Sequence, residues 1–182
     1  MKVIGFTGLP GSGKSTAIDA IRNMGKIVTM GDVIRNEAKK RGIEPTGENL
    51  GKIAKELREK GGDGIVAEKC VELIKQLKDD IIFIDGIRSQ FEIDVFRKYW
   101  KFPIIATVID EQIRFERLFE RGRSDDPKEI EEFRERDKRE IGFGLKDVVN
   151  KADYKIENTS SIEILQEETK KLIEEILKNA NS

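Results

Sequence analysis

The sequence predicts an α/β fold, a five-stranded parallel sheet with helices on both faces, from three observations. Five short runs, four of them apolar with β-branched residues, have the length of strands. Charged segments of helical periodicity lie between them, the alternation expected of a parallel sheet. A glycine-rich turn joins the first run to the first helix.

In chain order, Lys2 to Thr7 is the first strand, and a helix follows from about Lys14 to Met24. Lys26 to Met30 reads as the second strand. Residues 31 to 77 are helical by periodicity, with breaks at Glu44 to Gly47, where proline and glycine occur together, and at Gly61 to Gly64. Asp80 to Asp85 is the third strand, Phe102 to Ile109 the fourth and Tyr154 to Glu157 the fifth, followed by an amphipathic helix from about Ser161 to Lys178. A chain of 182 residues suits one domain, at roughly 100 to 200 residues per domain. The span 1–182 is therefore read as a single domain, and charge-dense stretches such as Lys128 to Glu140 as solvated helix faces.

Composition narrows the chemistry. Lysine and arginine total 34 against 35 acidic residues, a formal charge of -1, so no overall basic field draws in DNA, and anion binding has to come from local arrangement. Cys70 is the one cysteine and histidine is absent, which leaves no disulfide framework and no thiolate or imidazole zinc site. Cys70 is expected to be a small apolar residue inside a helix packing. The chain opens on a strand-like run without a basic lead or a long apolar span, so no membrane partner and a cytoplasmic location are expected.

Gly8, Leu9, Pro10, Gly11, Ser12, Gly13, Lys14 and Ser15 fit the pattern G-x-x-x-x-G-K-[ST], with Thr16 following at the start of the helix. Glycines let successive backbone N–H groups turn inward, and the helix N-terminus adds the positive end of its dipole. The expected ligand is ATP: Lys14 supplies a point charge for the outer phosphates, and the Ser15 hydroxyl suits the shell of Mg²⁺. The third strand ends in Asp85, a carboxylate placed to act on that magnesium.

With these residues the chain resembles the nucleoside monophosphate kinases, and most closely an uncharacterised archaeal group described as adenylate-kinase-related or dephospho-CoA-kinase-like. That resemblance implies the P-loop kinase fold with a helical acceptor-binding insertion at about 31–64 and a short lid at about 121–144. Gly31 to Arg35 resembles the segment that opens the acceptor-binding helices, and Asp85 to Arg88 the next family segment, so Asp32, Arg35 and Arg88 inherit acceptor-binding roles. Arg117 to Asp126 is similar to the helix and lid of these kinases, with Arg134 eight residues further on. The resemblance places Arg117 on the donor adenine and Arg121, Arg123 and Arg134 around the phosphates in transit, beside Lys14 and Asp85 as catalytic residues. Ala152 to Asn158 resembles the last strand and loop of dephospho-CoA kinases, whose backbone contacts the adenine. Arg136 to Glu140 and Gly142 to Gly144 resemble the archaeal group specifically, with no chemistry assigned. Met30 departs from the pattern where adenylate kinases carry a hydroxyl residue, and Asp85 to Arg88 is one residue shorter than usual.

These readings converge on a small-molecule kinase using ATP and Mg²⁺, with a nucleotide-like acceptor of which AMP is the first candidate. Two alternatives stand beside it. Asp32 lies where a dephospho-CoA-like kinase places a base for an alcohol acceptor. A nucleotide-binding regulator or ATPase would keep the same fold.

Overall fold

The computed structural model describes residues 1–121, 127–142 and 144–179, with the side chains of Arg121 and Arg139 outside that description. Among the described residues the order is β1 (Lys2–Thr7), α1 (Lys14–Ala20), β2 (Lys26–Thr29), α2 (Met30–Lys40), α3 (Gly47–Gly61), α4 (Ile65–Ile74), β3 (Ile81–Asp85), α5 (Gln90–Arg97), β4 (Ile104–Val108), α6 (Glu111–Arg121), α7 (Ile130–Gly142), α8 (Leu145–Asn150), β5 (Tyr154–Glu157) and α9 (Ile162–Asn179). The five strands form one parallel sheet in the order β2-β3-β1-β4-β5. None of the described helices is long and apolar enough to cross a membrane.

Alternation along the central strands divides the core. In β1, Ile4 and Phe6 point to one face and Val3 to the other, while in β3 Phe83 takes the first face and Ile82 and Ile84 the second, as the period of two requires. Ile4, Phe6 and Phe83 pack with Ala17, Ile18 and Ile21 after β1 and with Leu165, Ile173 and Ile176 of α9. Ile82 and Ile84 pack with Val33, Val66, Cys70, Ile93 and Phe96, so α2, α4 and α5 cover the opposite face. Phe6 and Phe83 are fully buried and meet edge to face at 6.0 Å, each worth about 1.5 to 3 kcal/mol in burial alone.

Local chemistry moves several boundaries. The first helix ends at Ala20 rather than Met24, because Ile21 leaves helical geometry and residues 21–24 continue as turns into Gly25. Met30 belongs to α2 and not to the second strand, with Thr29 in extended backbone as the residue before the helix. The two breaks expected in residues 31 to 77 fall between α2, α3 and α4, and Thr46 caps α3 by accepting from the Asn49 amide at 3.2 Å. Met30 is buried in the core, with the Cys70 thiol 3.4 Å from its sulfur. Its difference from a hydroxyl residue is therefore a packing difference: it helps hold α2 on α4.

The register brings function-bearing ends together. Phe6 and Thr29 both pair with Asp85, so β1, β2 and β3 finish at one edge. There the Gly86 and Ile87 amides donate to the Phe6 carbonyl at 3.2 Å, and the Thr7 hydroxyl donates to the Ile87 carbonyl at 2.8 Å. The turn after β1 and the segment after β3 are thus fastened side by side.

Burial pushes the Cys70 thiol from its ordinary 9.0 up to about 12. A thiol reagent should then label it only as fast as the protein unfolds. Because the unfolded thiol ionises first, the stability held below about pH 9 should decline as pH rises toward 12. Fast stoichiometric labelling of the native protein at pH 8 would contradict this placement.

Candidate active site

Past the carboxyl ends of β1 and β3 lies a cleft of about 570 Å³, lined by Gly8 to Thr16, Gly86 to Arg88, Arg117, Arg136, Glu140 and Asn158. Ligands bind at this edge in open α/β sheets. Its floor is the loop between β1 and α1, where Gly11 and Gly13 take φ of 81° and 94°. A Cβ on Gly13 would stand 2.1 Å from Asn158 Nδ2, so both conformation and space require glycine there. Helix α1 has neither a side-chain cap nor an acidic residue in its first turn. By contrast, α5 carries a full capping box between Ser89 and Glu92. The open amides of α1 face the cleft, the arrangement that suits an anion.

The loop is gripped from outside. Ser12 is buried, with its hydroxyl 2.7 Å from the Thr107 hydroxyl of β4. Asn158 Nδ2 donates to the Ser12 carbonyl at 2.9 Å, while the Asn158 amide donates to the Val108 carbonyl. Arg114 Nη1 donates to the Pro10 carbonyl at 3.2 Å. Lys14 and Asp85, both about one-fifth exposed, form an ion pair between the start of α1 and the end of β3.

The opposite wall is cationic. Arg88 follows β3 and is half exposed, with its Nε 3.5 Å from the Glu140 carboxylate on α7. Its backbone is held by buried Glu92, which accepts from the Arg88 amide at 2.8 Å and the Ser89 amide at 3.3 Å and lies 3.7 Å from Arg58 of α3. Burial raises the Glu92 carboxyl above the ordinary carboxylate range, against the lowering pull of those amides and of Arg58. Arg117 also lines the cleft, its Nη2 3.4 Å from the Asn158 carbonyl.

The structure gathers Gly8 to Thr16, Arg88 and Arg117 around one cleft, with Asp85 paired to Lys14 at its floor. Asp32 and Arg35 do not line it. They form an exposed ion pair one helical turn apart, with Arg35 Nη2 2.8 Å from Asp32. Arg134 is exposed on α7 and also outside the lining, whereas Arg136 lines it. Phe133 and Asp137 fix the buried side of that helix, and at about 100° per residue Arg134 is turned roughly 160° from Arg136. Arg123 lies outside the described residues, as does the side chain of Arg121. Of the expected lid span 121–144, α7 is packed on α6 through Phe133, whose ring centre is 5.6 Å from that of Phe115.

Sequence reasoning missed Arg114, Glu92 and the Asn158 side chain, and left Arg136 and Glu140 without a role. The Ser89 and Glu92 spacing is a capping-box signature legible in the sequence. The other partners are distant in the chain and carry no local signal.

A model of the AAA domain family matches residues 7–134. The UPF0200 protein of Hyperthermus butylicus is 45% identical over 94% of this chain and 92% of its own length. A UPF0200/UPF0201 protein of Archaeoglobus fulgidus is also 45% identical, over 98% of this chain, which spans only 57% of that relative's length. Among solved structures, TT1252 from Thermus thermophilus superposes with a TM-score of 0.63 at 21% identity, covering 96% of this chain and 97% of that one. Shikimate kinase from Aquifex aeolicus gives 0.56 at 16% identity, covering 98% of both chains. The fold is that of the P-loop kinases.

Replacing Gly13 by alanine should lower the melting temperature and weaken Mg·ATP binding at least tenfold, since the new methyl group displaces Asn158 from the Ser12 carbonyl. Calorimetric titration beside thermal denaturation checks it. Wild-type affinity in the variant would show that this contact does not shape the cradle.

Proposed function

The chain belongs to the UPF0200 family, and on that footing we propose that it is an ATP-dependent small-molecule phosphotransferase of the nucleotide kinase type. It transfers the terminal phosphate of ATP to a nucleotide-like acceptor, with AMP the first candidate. The observation that carries this reading is one cleft with a P-loop floor and an arginine-bearing wall that includes Arg88, Arg117 and Arg136. A site that only held a nucleotide has no need of positive charge opposite the P-loop.

The residues present fit magnesium. Ser15 is exposed at the start of α1, and Asp85 stands at the end of β3 beside Lys14. These are hard oxygen donors, and among the described residues no group of three or more His, Cys, Asp or Glu forms a protein cage. Mg²⁺ of this kind arrives with phosphate oxygens and needs only one or two protein ligands. Bound there, it would neutralise charge on the outer phosphates. Gly11 and Gly13 to Thr16 bind and orient the donor phosphates through backbone amides, the Ser12 amide being held by the Leu9 carbonyl at 3.0 Å, and Lys14 adds a charge that can turn from Asp85 to a phosphate oxygen. Arg117 is placed for the donor base, as the resemblance to nucleoside monophosphate kinases implies. Arg88 supplies planar donors for an acceptor phosphate, and Arg136 for the outer phosphate of ATP and the charge that spreads over it in transfer. Arg121, Arg123 and Arg134 retain their resemblance-based roles in a lid within 121–144, and Arg35 its role at the acceptor.

A second reading, an alcohol acceptor with Asp32 as base, is favoured by the likeness in fold to shikimate kinases, one of them solved in complex with shikimate. Asp32→Asn separates the two. Near-complete loss of turnover marks an alcohol acceptor, and a mild effect marks a phosphate, which needs no base.

Lys14→Ala should abolish turnover and weaken Mg·ATP binding while leaving the melting temperature close to that of the parent, because the Lys14 side chain lies at the cleft and not in the core. Unchanged affinity by calorimetry would count against the site. Arg88→Met should raise the acceptor Km or dissociation constant about tenfold or more, through loss of a charge-assisted contact of roughly 1.5 to 3 kcal/mol. ATP affinity should barely move. A larger loss in ATP binding would put Arg88 on the donor side instead.

A further inference from the structure

Arg114 and Asp137 stand apart from the lining of the cleft yet touch two elements that build it. Arg114 belongs to α6 and Asp137 to α7, and their side chains are only 4% and 11% exposed. They meet as a fork, Nη1 to Oδ1 at 2.9 Å and Nη2 to Oδ2 at 2.5 Å, and the same Nη1 also reaches the Pro10 carbonyl. The guanidinium carbon lies 5.0 Å from the centre of the Phe133 ring.

Two geometric consequences follow. Among the described residues no peptide bond is cis, and a trans peptide directs its C=O and the following N–H to opposite sides. Holding the Pro10 carbonyl on the α6 side therefore turns the Gly11 N–H the other way, toward the cleft. On α7, fixing Asp137 fixes the rotation of the helix, and its immediate neighbour Arg136 lies with Glu140 on the face that lines the cleft. One guanidinium thus sets both the direction of a P-loop amide and the rotation of the helix carrying an arginine.

Stability is a poor reason for such a pair. Desolvating two charges offsets most of their attraction, and apolar residues of similar volume often serve as well or better. What an apolar replacement lacks is the fork and the donor to Pro10. We propose that Arg114 and Asp137 are positioning residues, which together aim the Gly11 amide and Arg136 at the phosphates of the bound nucleotide. This rests on the reading of the cleft as an ATP site.

The test compares Asp137→Asn with the paired variant Arg114→Met/Asp137→Leu, each titrated calorimetrically with Mg·ATP and melted in parallel. Asp137→Asn leaves a buried arginine without its counter-charge and should lose both melting temperature and ATP affinity. The paired variant should recover a melting temperature near the parent while its ATP affinity stays at least tenfold weaker. Recovery of both would overturn the proposal and leave the pair a packing feature. If the paired variant fails to fold, Arg114→Lys keeps the charge but cannot hold two carboxylate oxygens and a carbonyl in one plane. A folded Arg114→Lys protein with weakened ATP binding supports the proposal, and one with parental affinity overturns it. A parent protein that binds no Mg·ATP would instead remove the reading on which the proposal stands.

Discussion

A backbone amide can serve an anion only if its peptide plane is held the right way round. The loop between β1 and α1 is short and glycine-rich, so its planes are free to turn in the unfolded chain, and the fold has to set them. It does so mainly through carbonyls. Arg114 holds Pro10, Asn158 holds Ser12, and the Ser12 hydroxyl is tied to Thr107. These three partners come from α6, the end of β5 and β4. Elements at several positions in the sheet order are thereby committed to one six-residue turn. Parallel strands make this possible, because β1, β3 and β4 deliver their carboxyl ends to the same edge.

Charge is arranged locally and not globally. With 34 basic and 35 acidic residues, the chain offers no net attraction for a polyanion, yet the cleft brings Lys14, Arg88, Arg117 and Arg136 around one volume. Acidic groups at the cleft and behind it are engaged close by, Asp19 with Arg22 among them. Asp85 pairs with Lys14, Glu140 faces Arg88, and Glu92 holds the Arg88 backbone from below. Glu92 directs its lone pairs to amides at the start of α5, so it fixes where Arg88 emerges without competing for the guanidinium.

The legible part of this protein is whatever the sequence states within a few neighbouring residues. The P-loop, the Asp85 strand end, the two helix breaks and Tyr154 to Glu157 all rest on local pattern, and the sheet follows from their alternation. What stays hidden depends on helix phase or on distance. The resemblance singles out Arg134, whereas the burial of Phe133 and Asp137 turns Arg136 to the cleft. Arg114 and Asp137 are separated by 23 residues, and Asn158 reaches Ser12 across 146. No periodicity records such contacts. The end of α1 departs from its expected place for the opposite reason: residues 21–24 are compatible with helix in isolation, but the chain must turn there to bring β2 beside β3.

Magnitudes then sort the arginines by what they are free to do. The Arg35 and Asp32 pair is about half exposed on both sides, and such pairs hold together with roughly 0 to 1 kcal/mol. A charge-assisted contact to a phosphate is worth about 1.5 to 3 kcal/mol, so Arg35 can leave its partner for a ligand at little cost. Arg88 is half exposed and its contact to Glu140 is long, which puts it in the same position. Arg114 is different. Breaking a buried pair by withdrawing one partner costs about 3 to 5 kcal/mol, more than a phosphate contact returns, so Arg114 stays with Asp137 whatever enters the cleft. Burial therefore divides the described arginines: exposed ones such as Arg35 and Arg88 are free to exchange partners, and Arg114, buried, stays in its pair.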